Sequence, residues 1–209
     1  MPKKTKKIKV SKLNSYSKYL TGFIIPFLLL ALILVGGSCG KSSDNNAQPG
    51  NGENQPQEIE FLTYSNNEWG FEIKYPDNWV KEIYEQGESG STTAFNSPKR
   101  DSENRPEASL IVVAFPRPGS KDFNSEMLKS IAQLEGSDVL ISQSLKTISG
   151  HNAYELVYFD SGGPENKILH YFVEDEDIWY QIVYVAKAEV YSEYLLTGQE
   201  MIDSFVITK

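Results

Sequence analysis

The run LTGFIIPFLLLALILV at residues 20–35 constrains this chain most, because it assigns the segments on either side of it to different environments. Its length, about 16 residues, is short of the roughly 20 that span a bilayer comfortably. Pro26 also disfavours a plain straight helix there. Seven lysines (Lys3, Lys4, Lys6, Lys7, Lys9, Lys12 and Lys18) and no acid precede it, and Gly36, Gly37, Ser38 and Cys39 follow it. A basic region, an apolar region and small residues in that order make an export signal, with the basic end inside and the body outside. Residues 40–58, GKSSDNNAQPGNGENQPQE, contain no large apolar side chain. Such a stretch cannot bury enough surface to order itself. The expected organisation is therefore a signal or anchor over 1–39, a polar tether over 40–60 and one folded domain over 61–209.

Seven of the 20 basic residues lie in the leader, so residues 40–209 keep 13 against 28 acidic residues, a net charge of −15. An acidic body of this kind repels nucleic acid and anionic headgroups, and nucleic acid is not expected as a partner. The charge serves solubility, or attraction of cations and basic protein surfaces. The single cysteine, Cys39, can make neither an internal disulfide nor a multi-cysteine metal site. Its surroundings resemble a bacterial lipoprotein signal peptide, in which a small residue precedes an invariant, lipidated cysteine. Gly37-Ser38-Cys39 match the last three positions. Gly36 departs from the usual aliphatic residue, with Val35 one place early. The resemblance implies lipidation at Cys39; an uncleaved N-terminal anchor and a cleaved, soluble form are the alternatives. Either anchored form places the domain in the cell envelope on the extracytoplasmic side, in periplasm, lumen or at the cell surface.

From Phe61 onward the pattern becomes strand-like. Phe61–Tyr64 reads as a short strand; Phe71, Ile73 and Tyr75 alternate with Glu72 and Lys74 as a half-buried one. After the turn at Pro76-Asp77-Asn78 come strands at Trp79–Tyr84 and Thr92–Asn96, and then a polar loop over 97–106. Ala108–Phe115 is nearly continuously apolar, the mark of a central strand covered on both faces. Phe123, Met127, Ile131 and Leu134 form a helical stripe, with Asp122 placed to cap its start and Gly136 its end. Strands at Val139–Ile148, Ala153–Phe159, Lys167–Glu174 and Ile178–Ala186 follow. A second helix is expected over Glu189–Ser204, with Val190, Tyr194, Met201 and Ile202 on or near its buried face, and then a short tail at Phe205–Thr208. The fold class is α+β, an antiparallel sheet between flanking helices.

Trp69-Gly70-Phe71-Glu72-Ile73-Lys74-Tyr75-Pro76 with Trp79 three places on, Gly150-His151-Asn152-Ala153-Tyr154-Glu155, Tyr180–Ala186, Tyr191 and Met201-Ile202-Asp203-Ser204-Phe205 form an ordered set. Together they resemble the PsbP-like family, which shares its α/β/α sandwich with Mog1 and DcrB-type proteins. The resemblance covers residues 61–208 and implies binding or assembly work without catalysis. Photosynthetic members are extrinsic subunits or assembly factors of photosystem II, and cyanobacterial forms are lipoproteins. Most of the matching residues read as core: Pro76 ends a strand, Trp79 covers the sheet, and Phe205 pins the last helix.

Candidate sites are few. His151 stands at a turn and His170 mid-strand; with Asp175 and Asp177 of the run Glu174–Asp177 they are the candidates for a weak divalent cation, Ca²⁺, Mn²⁺ or Zn²⁺. The acidic run lacks the glycine and distant Glu of an EF-hand and reads equally as a solvated hairpin tip. Tyr154, Tyr158, Tyr171, Tyr180 and Tyr184 are candidates for a partner-binding face, or for ordinary sheet packing. No Gly-x-Ser-x-Gly, phosphate-binding glycine loop or zinc-type spacing is present, so no catalytic residue is assigned and no cofactor is expected. The expected function is a membrane-tethered, non-catalytic lipoprotein that binds a protein partner in assembly or maintenance of a membrane complex. A small-ligand or metal-binding envelope module is the alternative, and a hydrolase with an unrecognised site the third reading.

Overall fold

The computed structural model describes residues 59–209 apart from 86, 120 and 161–164; the expected signal, Cys39 and the tether up to residue 58 lie outside the described residues. The domain begins with β1 (Phe61–Asn66) and β2 (Phe71–Pro76), followed by β3 (Val80–Glu85), β4 (Ser91–Asn96) and β5 (Ala108–Pro116). Helix α1 (Phe123–Gly136) leads to β6 (Leu140–Ile148), β7 (His151–Phe159), β8 (Asn166–Glu174) and β9 (Ile178–Lys187). Helix α2 (Tyr191–Asp203) and the short β10 (Val206–Ile207) complete it.

The expected antiparallel sheet is present, with strand order β3-β4-β5-β9-β8-β7-β6. The opening strands are not part of it. They form a second, three-stranded sheet, β1-β2-β10, in which the C-terminal tail pairs with β2 through Val206↔Glu72 and Ile207↔Phe71. The tail, expected only as a short ending, is thus a strand. Its partner β2 keeps the alternation of its sequence: Phe71, Ile73 and Tyr75 are buried while Lys74 is exposed.

Residues paired directly across antiparallel strands project to the same face, so the register assigns every side chain of the large sheet. On one face lie Leu110 and Val112 of β5, Tyr180, Ile182 and Tyr184 of β9, and Tyr171 and Val173 of β8. Helix α2 and the small sheet cover this face: α2 lies against β9, β5 and β2, and Phe71 meets Tyr180 edge-on at 6.2 Å. The opposite face carries Trp179, Gln181, His170 and Tyr154. There Phe123 of α1 packs on Trp179 at 5.1 Å and on Tyr154 at 5.9 Å. With helices on both faces, β5 is buried through Val112, as its apolar run requires.

The expected anchors hold their places. Trp79 is buried and meets Tyr194 of α2 at 6.3 Å, and Phe205 stacks on Phe71 at 5.6 Å. Asp122 caps α1, its Oδ1 accepting from the Ser125 N–H at 2.8 Å. The other end differs: Gly136 remains helical, Ser137 is the cap, and Asp138 takes the left-handed conformation at φ 54°. Asp tolerates that region when its short polar side chain is free to bond locally. Helix α2 starts at Tyr191 rather than Glu189, and its buried side chains are Tyr191, Gly198, Met201 and Ile202. Val190 is the cap residue and is only half-buried.

Gly198 is where α2 comes closest to the sheet: a Cβ there would stand 2.8 Å from Cδ2 of Tyr184. Tyr184 is fully buried, and its hydroxyl is fixed on the Tyr191 carbonyl at 2.7 Å, so the ring has no room to retreat. Gly198→Ala is expected to destabilise the domain by about 1–2 kcal/mol through overpacking, despite the better helix propensity of Ala. Leu196→Ala, at an exposed position of the same helix, should stay within about 0.5 kcal/mol; urea denaturation of both variants checks the contrast.

Candidate functional site

The five candidate tyrosines do not share a surface. Tyr180 and Tyr184 are fully buried beneath α2 and the small sheet, and Tyr171 lies on the same inner face. Each hydroxyl has an internal acceptor. Tyr180 donates to the Trp69 carbonyl at 2.7 Å, Tyr184 to the Tyr191 carbonyl, and Tyr171 to Glu155 Oε2. Burial pushes all three phenols upward, with Glu155 adding to the effect at Tyr171. Tyr180 and Tyr184 brace the sheet to its cover, and Tyr171 ties β8 to β7 within it. Tyr154 and Tyr158 sit on the α1 face, half-buried; Tyr154 donates to Asn124 Oδ1 at 3.0 Å and so ties β7 to α1.

The four metal candidates do not converge either. His170 is buried on the α1 face, whereas the register puts His151, two residues before Ala153, on the opposite side. His151 Nδ1 stands 3.7 Å from Asp175 Oδ1. Asp177 lies exposed in the β8–β9 hairpin tip, where its carbonyl accepts from Arg117 N–H at 2.8 Å. Arg117 also reaches Glu174 at 3.4 Å, so the acidic turn carries its own cation. Among the described residues, no three His, Cys, Asp or Glu side chains are grouped to hold a metal ion.

Two arrangements were not foreseen. The first is a buried polar chain across β7, β8 and β9, with Tyr158 Oη 3.0 Å from His170 Nδ1 and His170 Nε2 3.1 Å from Gln181 Oε1. Oε1 only accepts, so Nε2 carries the proton, and Nδ1 accepts from the phenol. This neutral tautomer satisfies every polar atom of the imidazole. Burial, with Phe172 stacked at 3.8 Å, pushes His170 down to about 3 against a smaller opposing pull from Gln181. Gln181 was legible only as one polar residue in an apolar strand. The second is in the 97–106 loop. Burial raises Asp101, but N–H groups of Arg105 and Glu103, the Arg105 guanidinium and the Lys187 ammonium outweigh it and hold the carboxyl well below the usual range. Arg105 bridges on to Glu103 and Glu165, and Lys187 Nζ is 3.1 Å from Asp101. The Asp101–Arg105 spacing was a readable signal; Lys187, far along the chain, was not.

The family model described as PsbP-like protein matches residues 28–207. The chain belongs to the PsbP-like protein family. Among solved structures it is similar to cyanobacterial PsbP (CyanoP) from Synechocystis sp. PCC 6803, at 18% identity and TM-score 0.53, over 82% of this chain and 98% of that one. It is also similar to LpqN of Mycobacterium tuberculosis, described as involved in cell envelope biogenesis, at 15% identity and TM-score 0.51, over 73% of this chain and 93% of that one. The Ran-binding protein Mog1p of Saccharomyces cerevisiae aligns at 11% identity and TM-score 0.42, over 72% and 97%. No curated protein matches the sequence. At these identities the likenesses to CyanoP and LpqN establish the fold alone. No helix among the described residues is long and apolar enough to cross a membrane.

The buried His170 makes an acid-side prediction. Its folded value of about 3 lies below the ordinary 6.5, so between those limits the unfolded chain binds the extra proton. Its contribution is complete above about pH 6.5 and is lost as pH falls, with a slope approaching about 1.4 kcal/mol per pH unit. Urea titrations at pH 6.5, 6.0 and 5.5 should show this decline, and His170→Leu should flatten it. The ring resonances of His170 should not shift above pH 4.5.

Proposed function

We propose that this PsbP-like protein is a lipoprotein, anchored through Cys39 on the extracytoplasmic side of a membrane, whose domain binds a protein partner in assembly or maintenance of a membrane complex. The observation that carries the reading is the junction Gly37-Ser38-Cys39, set between a basic-apolar leader and the wholly polar residues 40–58. A lipid at Cys39 would hold the domain at the membrane through residues 40–58. Stable anchoring takes more than one acyl chain, at about 0.8 kcal/mol per buried CH₂. The net charge of −15 keeps the body off anionic headgroups and available to basic protein surfaces.

A non-catalytic role is supported by how the titratable groups are used. His170 is locked neutral between two fixed partners, and burial makes the inner phenols poorer acids. Neither is poised to exchange a proton near neutral pH, which general acid–base work requires. The fold likeness to LpqN, described as involved in cell envelope biogenesis, agrees with an envelope setting. In a photosynthetic source, photosystem II is the first complex to test.

Mass spectrometry of the mature N-terminal peptide is expected to show an acylated Cys39, and Cys39→Ala to leave an unprocessed precursor. A wild-type protein that keeps Met1 overturns the lipoprotein reading. Affinity capture from the source membranes should retain a membrane protein that the Cys39→Ala form does not. Equal recoveries with the two forms count against the partner reading.

A further inference from the structure

The large sheet ends in two strands that face the solvent in different ways. At one edge, β3 carries Lys81 and Glu82, the charged edge that discourages strand addition. At the other, β6 has 9 residues, and Lys146 is its one charged side chain. Leu145, next to its central residue, is 71% exposed. On the same flank Leu128, one helical turn beyond the Asn124 that Tyr154 reaches, is 60% exposed.

Backbone direction along β6 follows from the turn that ends it. Ser149 and Gly150 both have positive φ, 51° and 81°, and Ile148 pairs with His151. A two-residue loop of this kind is closed by a pair that exchanges both hydrogen bonds. Ile148, Lys146 and Ser144 therefore point their N–H and C=O groups at β7. Thr147, Leu145 and Gln143 point theirs outward, spaced evenly about Leu145.

We infer that β6 is a self-association edge, pairing antiparallel with β6 of a second copy of this chain about a two-fold axis through Leu145. In that register Leu145 faces the second copy's Leu145, and Gln143 faces its Thr147, so every outward backbone group finds a partner by symmetry. The charges are complementary too. Lys146 falls opposite the second copy's Ser144, the residue whose hydroxyl donates to Glu155 Oε1 at 2.9 Å. That Glu155 is then two strands away, about 10 Å at the ordinary strand spacing, within the combined reach of the two side chains. Lys146 already approaches its own Glu155 at 3.8 Å. The opposing net charge is screened beyond about 8 Å at 0.15 M salt.

The test uses the full chain purified in detergent at about 0.15 M salt. Sedimentation velocity should give two chains per particle. Leu145→Pro removes an outward N–H that the β6–β7 ladder does not use, and should weaken the dimer at least ~10-fold with the circular dichroism spectrum unchanged. Leu145→Cys, whose Cα atoms would meet at about 5.5 Å, should cross-link between copies on mild oxidation, far more than Leu196→Cys, at an exposed position on α2. A monomeric wild type, or cross-linking at 145 no greater than at 196, overturns self-pairing. So does a monomer that takes up another protein's strand at β6. None of these readouts depends on lipidation or on a captured membrane partner.

Discussion

Two phenolic hydroxyls on one face of the large sheet, those of Tyr180 and Tyr184, hold its cover in position. A buried Tyr cannot leave its O–H unpaired without a cost of about 1–3 kcal/mol, so each hydroxyl fixes the element that supplies its acceptor. Tyr180 reaches over to the Trp69 carbonyl in the β1–β2 turn, and Tyr184 to the Tyr191 carbonyl at the start of α2. Two positions on one strand thus anchor the small sheet and the last helix. The close approach at Gly198 follows, because α2 must come near enough for its first carbonyl to meet Tyr184. Aromatic packing among Phe71, Tyr180 and Phe205 fills the space between these tethers.

The opposite face is organised by a weaker version of the same rule. Phe123 of α1 inserts between Trp179 and Tyr154, while Tyr158, His170 and Gln181 satisfy one another within the sheet. A neutral, fully bonded imidazole in such a place fixes register: moving one strand by a residue would send His170 or Gln181 to the other face and leave its partner unpaired. A charged imidazole there would forfeit its hydration with no charged partner to replace it, which is the physical reason for its low folded value.

Local signals made much of this legible in the sequence. Alternation in β2, the apolar run of β5, the Asp122 cap and the stripe of α1 each state their own structure. The pairing of the C-terminal tail with β2 was not legible, because β10 has only 2 residues and its partner lies at the far end of the chain. Facing was lost for the same reason. The tyrosines and histidines looked like one set when counted along the chain, but the register separates Tyr154 and Tyr158 from Tyr171, Tyr180 and Tyr184, and His170 from His151. Nor does a sequence show that Lys187 and Glu165 close the Asp101–Arg105 loop, since ion pairs of that span have no periodicity.

The internal closure of these groups bears on where the protein meets other molecules. Core tyrosines, the buried histidine and the Asp101 network are spent on the fold itself, and the acidic hairpin tip carries Arg117 as a counter-ion. What remains outward in the described domain is an acidic surface and the edges of its sheets. These differ in kind: charge acts over a Debye length and steers encounter, whereas a strand edge acts only at hydrogen-bond distance and in fixed register. Of the two edges of the large sheet, β6 carries the single charge of Lys146 and β3 both Lys81 and Glu82, so geometric specificity concentrates at β6 while the acidic body sets which surfaces come near.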